Sequence, residues 1–331
     1  MTNPDGTTLP TDFLTSYDAS DCSFPRNWIM LSDPGPSPSD VCFFNTSTHK
    51  SFSFDLTPYL HIYSLLRSFD FLFLLKHKIT QGFALLNPFM KSITPLPSKI
   101  ESYSAYAPKQ LEDLICEDIW PLSGVFVTSS FTIVLHFEPY FLVWTKPGDQ
   151  SWVYDELEVW SFSNLLLYKD RLLAFTFDKG LVQINLANEM PNQLQVEVVI
   201  PSNELPKLRK ECYLVDCDEE IILVNLRHND HCLESFETYK LDLNEKTYSR
   251  LPNLGNYSIF LGENRTFSIS CEDLPQVPTN SIYLCELYNL ENNCKRCQFC
   301  EPFLNPSSLL VEKLIKCCLR SHWNILSEDD E

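Results

Sequence analysis

Residues 236–270 read FETYKLDLNEKTYSRLPNLGNYSIFLGENRTFSIS. Two strand-like pieces, FETYKLDL and YSRLPNLG, flank the polar NEKT. A third apolar piece, SIFLG, follows, and FSIS comes after ENRT. Apolar run, charged tip, apolar run, with few helix formers between, is the pattern of short strands joined by turns.

The same pattern extends outward in both directions. CYLVDCDEEIILVNL (212–226) is a hairpin with the acidic tip DCDEE. NLLLYKDRLLAFTFDKGLVQINL (164–186) gives three strands with turns at YKDR and DKG, and QVEVVIP (195–201) gives one more. FTIVLHFEPYFLVWTKPGDQSWVYDE (131–156) gives three pieces. VCFFNTSTHKSFSFDL (41–56) and GFALLNPFMKSITPLP (82–97) are each strand, tip, strand. NSIYLCELYNL (280–290) is the last clear strand pair. Between them DPGPSPSD (33–40) is a loop by composition.

Turn signals recur about every 8–12 residues, the signature of an all-β sandwich or propeller. The segments group into about five or six units of roughly 40–50 residues, the size of propeller blades. Near-continuous apolar runs such as IILVNL and LLAFTF need burial on both sheet faces, which radial stacking of blades supplies. A sandwich remains the rival. At this length it would need two copies, and no linker between copies is visible.

Two helical segments interrupt the strands. KQLEDLICEDIW (109–120) is short and amphipathic. Asn305-Pro306 opens a second, with Asn at the cap and Pro at the first helical position. Its Leu310, Leu314, Cys317 and Cys318 share one face. The expected organisation is a polar N-terminal arm (1–24), a β-propeller (25–300), a C-terminal helix (301–326) and an acidic tail (327–331).

Composition narrows the function classes. The 331 residues carry 44 acidic and 25 basic side chains, a formal charge of −19, with 44% hydrophobic and 13% aromatic residues. That apolar share buries a large core, and flat or branched side chains suit pleated surfaces. A strongly anionic chain without a basic patch excludes nonspecific nucleic-acid binding and repels acidic membranes. MTNPDGTTLPTDF lacks the basic and apolar regions of a secretory signal, and FDFLFLL (69–75) is far too short to span a bilayer. The expectation is a soluble intracellular protein, cytoplasmic or nuclear. Its 13 cysteines then read as small buried hydrophobes. The sequons at Asn45, Asn256 and Asn264 read as coincidences.

The ordered set CYLVDCDEEIILVNL, FETYKLDLNEKTYSRLPNLGNYSIFLG and NSIYL resembles the C-terminal half of the plant F-box-associated β-propeller family, the KIB-type propeller. SFPRNWIML, FFNTSTHKSFSFDL and GFALLNPFMKSITPLP resemble its N-terminal half, so the likeness covers about residues 24–290. It implies an F-box-type protein, in which a helical F-box docks on a Skp-type adaptor and the propeller presents a protein target to a cullin ubiquitin ligase. The chain departs from that pattern twice. Residues 1–24 are too few for an F-box, and a Cys-rich CKRCQFC with a helix stands where the family continues with strands.

Several constellations are weighed against plainer roles. Cys294, Cys297 and Cys300 have C-x₂-C-x₂-C spacing, with Cys317, Cys318 and His322 downstream. Thiolates so spaced can hold zinc, but a second C-x₂-C pair is missing, so they read as turn and core cysteines. His228, His231 and Cys232 in RHNDHC read as a solvated hairpin loop. Asp216, Asp218, Glu219 and Glu220 form a carboxylate cluster, read as an ionised hairpin tip rather than an acid–base pair. Trp120, Trp144, Trp152 and Trp160 would either line a face as peptide anchors or pack between blades, and packing is preferred. No nucleophile elbow or phosphate loop occurs. The sequence therefore assigns no catalytic, cofactor or metal site. It points to a noncatalytic protein-interaction propeller. The alternatives are a propeller enzyme with a pocket at the mouth of the disc and a structural propeller without an adaptor.

Overall fold

The computed structural model describes residues 28–31, 40–69, 72–101, 109–116, 122–128, 130–137, 141–156, 162–176, 178–185, 195–206, 212–229, 232–262 and 266–285. The arm, the C-terminal helix and the acidic tail expected from the sequence lie outside these residues. The described chain forms six separate sheets in sequence order. Blade 1 holds β1 (Trp28–Leu31), β2 (Asp40–Asn45) and β3 (Ser51–Asp55). A short α1 (Thr57–Leu60) leads to blade 2, with β4 (Tyr63–Phe69), β5 (Leu72–His77), β6 (Phe83–Asn87) and β7 (Ser92–Leu96). Next come β8 (Lys99–Glu101) and α2 (Leu111–Cys116), then blade 3, with β9 (Leu122–Val127), β10 (Ile133–Phe137), β11 (Phe141–Thr145) and β12 (Ser151–Glu156). Blade 4 holds β13 (Phe162–Tyr168), β14 (Arg171–Thr176), β15 (Gly180–Asn185) and β16 (Gln195–Pro201). Blade 5 holds β17 (Cys212–Cys217), β18 (Glu220–Asn229), β19 (Cys232–Asp242) and β20 (Thr247–Leu251). Blade 6 holds β21 (Tyr257–Gly262), β22 (Phe267–Ser270) and β23 (Ser281–Cys285).

Apolar clusters join each sheet to the next and close the circle. One runs from Phe43 through Phe73 to Leu135, across blades 1 to 3. Val134 and Trp144 of blade 3 meet Leu172 and Val182 of blade 4. Leu173 and Phe175 meet Leu214 and Leu223 between blades 4 and 5. Val215 and Ile222 meet Ile259 and Leu261 between blades 5 and 6. Ile29 of blade 1 then enters the cluster of blade 6 with Phe260 and Tyr283. Six sheets, each packed on its two neighbours, make a six-bladed β-propeller, and the sandwich is set aside. The middle strands are buried on both faces: β10 is buried throughout and β14 at every residue after Arg171. Outer strands such as β20 are almost wholly exposed.

Turn chemistry explains the tips. At Asn45, Asn87 and Asp242 a side-chain oxygen accepts the backbone N–H groups two and three residues on, at 2.7–3.1 Å. Four residues on, His49, Lys91 and Lys246 take positive φ of 57°, 48° and 54°. His77 repeats the device with its Nδ1, which accepts from Ile79 and Thr80 at 3.2 and 3.1 Å, and Gln81 follows at φ 60°. A chain with eight glycines thus uses Lys, His and Gln where a glycine would be less strained. At Gly180 no other residue would fit. This glycine has φ 96°, and an added Cβ would lie 2.6 Å from the Ser202 nitrogen and against the Ile200 carbonyl.

Three features differ from the sequence expectation. β8 adds to β12 in parallel, giving blade 3 a fifth strand, and the Trp152 indole donates to the Pro97 carbonyl at 2.6 Å beside it. β18 and β19 run ten and eleven residues, so pairing extends to Asn229↔Cys232, into the segment read as a hairpin loop. Blade 6 is ordered β22-β21-β23, with β23 parallel to β21. The expected helix over 109–120 is present as α2, residues 117–120 lying outside the described ones, and its Leu111 and Leu114 are buried in the shared core. Among the described residues no helix is long and apolar enough to cross a membrane.

Candidate interaction surface

β13, β17 and β22 lie side by side around the axis, so the turns that follow them emerge together. The tip after β13 is a two-residue turn, Lys169-Asp170, at φ 45° and 66°. The tip after β17 is Asp218-Glu219, at φ 47° and 70°. Two successive positive φ values match the twist of a tight hairpin, which normally selects Asn-Gly. Here the neighbouring blades hold the strained pair in place. The Tyr168 hydroxyl donates to the Glu219 carbonyl, and Lys169 Nζ lies 3.2 Å from the Glu219 carboxylate. From the other side the Tyr257 hydroxyl donates to Asp218 Oδ2 at 2.7 Å, and Ser268 Oγ donates to the Asp216 carbonyl at 2.7 Å. The acidic tip is therefore exposed, as the sequence suggested, but it also pins blade 5 to blades 4 and 6.

Its electrostatics follow from these contacts. The Tyr257 hydroxyl is driven well above its ordinary pKa, first by the hydrogen bond to Asp218 and then by burial. Hydrogen bonding to Tyr168 and then to Glu219 raises the Lys169 ammonium. Burial pushes the Cys217 thiol up to about 11, against the opposing hydrogen bond with Ser268. Lys240 pairs with Glu220 at the surface, where such pairs contribute little.

On blade 3 the equivalent tip presents an aromatic ring. Phe131 is 56% exposed with φ 60°, unusual for a bulky side chain. Hydroxyls fix it there. Thr128 Oγ1 lies 2.9 Å from Ser130 Oγ, which lies 3.2 Å from Thr132 Oγ1. The Phe131 N–H donates to the Thr128 carbonyl at 2.9 Å.

Two of the four named tryptophans are placed, and neither lines this surface. Trp144 and Trp152 are buried in blade 3, while Trp120 and Trp160 lie outside the described residues. Cys294, Cys297, Cys300, Cys317, Cys318, His322 and His231 also lie outside them. His228 and Cys232 fall on the paired ends of β18 and β19. Among the described residues no group of three or more His, Cys, Asp and Glu is placed to hold a metal ion. Cys212, Cys217 and Cys271 are buried thiols, not joined in disulfides. Asn45 is buried with its oxygen engaged, and Asn256 donates to Glu272 at 2.7 Å.

Two polar groups went unread in the sequence. His136 is buried in β10, with its Nδ1 2.6 Å from Ser123 Oγ, and burial lowers its pKa to about 4. Glu237 gathers Arg227 at 2.8 Å, the Tyr239 hydroxyl at 3.1 Å and the buried Asn225 amide at 3.2 Å. Burial raises the Glu237 pKa, but these donors outweigh it and the net shift is downward. No local motif announces either group, because strand register assembles both.

A family model described as KIB1-4 beta-propeller matches residues 43–301. No curated protein matches the chain. Similar solved structures include the Cps50 (Swd1) beta-propeller domain of Myceliophteria thermophila, 11% identical over 67% of this chain and 85% of that one, with TM-score 0.35. Apo AztD from Citrobacter koseri is 14% identical over 67% of this chain and 56% of its own, with TM-score 0.34. The Malassezia sympodialis allergen Mala s 1 is 10% identical over 69% and 79%, with TM-score 0.32.

Proposed function

The chain belongs to the KIB1-4 beta-propeller family, and from that premise we propose that it is a noncatalytic protein-interaction propeller, the target-recognition part of a cullin ubiquitin ligase. It acts in the cytoplasm or nucleus. The observation that carries this reading is the prearranged face of hairpin tips. Phe131 stands out in a left-handed conformation held by its own hydroxyl network. The Asp218-Glu219 tip is bonded to both neighbouring blades. Surfaces already ordered before contact lose little conformational entropy on binding. An exposed aromatic on a rigid support is the kind of anchor around which interfaces concentrate their energy.

Affinity capture of the full chain from cells, scored for a Skp-type adaptor and a cullin, tests the ligase assignment. Both proteins should be recovered. Recovery of a different, saturable partner without them removes the ligase assignment and leaves the interaction propeller. Phe131→Ala should reduce recovery of the target protein at least about tenfold, the loss expected when an aromatic anchor is truncated. It should leave adaptor recovery unchanged. Unaltered target recovery would show that this face is not the one used.

A further inference from the structure

Blade 5 carries a polar cluster that runs from its core to its outer strand. At its middle is Glu237 on β19, whose side chain is only 13% exposed. Three donors meet one oxygen of that carboxylate: Arg227 Nε at 2.8 Å, the Tyr239 hydroxyl at 3.1 Å and the Asn225 amide at 3.2 Å. Asn225 is itself fully buried, and its side-chain oxygen accepts from the Cys212 thiol at 3.4 Å. Strand register assembles the set, with Cys212 opposite Asn225 and Asn225 opposite Glu237. The carboxylate is thus held in place from the core side.

Its other oxygen faces Arg250 on β20, whose Nη2 stands 4.0 Å away. That is too long for a hydrogen bond, and the Arg250 side chain is 72% exposed. An ion pair of this kind adds little to the stability of the fold. What it does is hold a second guanidinium over a fixed carboxylate, beside the partly exposed Arg227. Two residues before Arg250, and so on the same face of β20, stands Tyr248. Its exposed ring meets the buried Tyr239 edge-on with centroids 5.7 Å apart, so it too has a rigid support. Among the described residues β20 is the outermost strand of blade 5.

We propose that this rim of blade 5 is a docking site for an extended acidic segment of a partner protein. The carboxylate of that segment sits on Arg250 and Arg227, and an apolar side chain two residues away covers Tyr248. The two-residue step is the side-chain repeat of an extended chain lying along β20. The planar fork of arginine suits a carboxylate. Two guanidiniums against Glu237 leave one positive charge in excess, in a chain whose formal charge is −19. That matches a single carboxylate and not a nucleic acid, which is bound through many phosphates at once. The inference rests on the reading of the chain as an interaction propeller, and it uses the rim of blade 5 rather than the Phe131 tip.

Short random peptides displayed on phage, selected on the full chain and counter-selected on its Arg250→Glu variant, test this. Peptides that tell the two proteins apart should carry Asp or Glu two residues from a leucine, an isoleucine or an aromatic residue. Synthetic copies, followed by fluorescence anisotropy, should bind Arg250→Ala at least about tenfold more weakly than the native chain. Arg250→Lys should recover only part of that loss, because an ammonium lacks the fork. Tyr248→Ala should weaken binding several-fold. Phe131→Ala should leave these peptides bound as before, so a failure of the Phe131 face and a failure of the rim are read separately. Both rim residues stand at the surface, and the urea midpoints of their variants should match the native one. Selection that yields no discriminating peptide, discriminating peptides without an acidic residue, or equal affinity for the native chain and Arg250→Ala would overturn the proposal.

Discussion

Acid should weaken this fold through His136. The ring sits buried in β10, and its pKa of about 4 compares with 6.5 for an imidazole in the unfolded chain. The sign follows from which state takes the proton. Above pH 6.5 both states are neutral and nothing is lost. As the pH falls below 6.5 the unfolded chain protonates while the folded chain refuses, so stability declines until the folded value is reached. Linkage between these two values gives a loss of about 1 kcal/mol at pH 6, about 2 kcal/mol at pH 5 and about 3 kcal/mol at pH 4. The assay is urea unfolding followed by tryptophan fluorescence, at pH steps from neutrality to about 4.5, on the native chain and on His136→Gln. Glutamine keeps a polar side chain beside Ser123 but does not titrate. Carboxylates and the other histidines contribute equally to both proteins, so the difference between the two curves isolates His136. The native protein should lose about 2 kcal/mol more than the variant between pH 7 and pH 5. Should the variant fail to fold, the His136 ring proton followed by NMR replaces it. Parallel pH curves, or an imidazole titrating near 6.5 in the folded protein, would refute the reasoning.

Substitutions at three other positions probe the turns, each read by denaturant midpoint. His77→Asn should retain stability, since Asn already plays this part at positions 45 and 87, whereas His77→Ala should cost about 1 kcal/mol, as a lost cap does. A larger loss in the Asn variant than in the Ala variant would show that the ring packs rather than accepts. Lys246→Gly should stabilise by about 0.5–1 kcal/mol, because relief of the left-handed backbone exceeds the extra freedom of glycine when unfolded; a destabilised variant contradicts that balance. Gly180→Ala should cost about 2–4 kcal/mol, from positive φ and from the backbone that a Cβ would strike; a neutral result would mean the β15–β16 bulge shifts freely.

What was legible in the sequence was local. In NLLLYKDRLLAFTFDKGLVQINL the two turns fall where read, because hairpin tips are decided by a few adjacent residues. The DCDEE tip likewise closes β17 onto β18. Burial on both faces of β14 and β10 shows why apolar runs unbroken by polar alternation pointed to blades. Features made by distant residues were not legible. Nothing in Lys99–Glu101 signals that it will lie parallel to Ser151–Val153. Nothing in SIFLG or FSIS signals that β22 will take the inner place in blade 6. The tip carboxylates were read as solvated charge, and their bonds to Tyr168 and Tyr257 arise only when three blades meet. His136 looks like an interruption in an apolar strand until Ser123 is set beside it.

The parallel strand on blade 3 also bears on how this molecule meets copies of itself. A blade rim with unpaired amides invites a foreign strand, and β8 closes that rim on β12. Pro95 removes a donor from the outer strand of blade 2. β20 carries neither protection and β16 has a proline only at its last residue, Pro201, and each shows an exposed apolar side chain, Val198 and Tyr248. If molecules join rim to rim in concentrated solution, the growing sheet should start from these two strands, and a lysine at position 198 should suppress it.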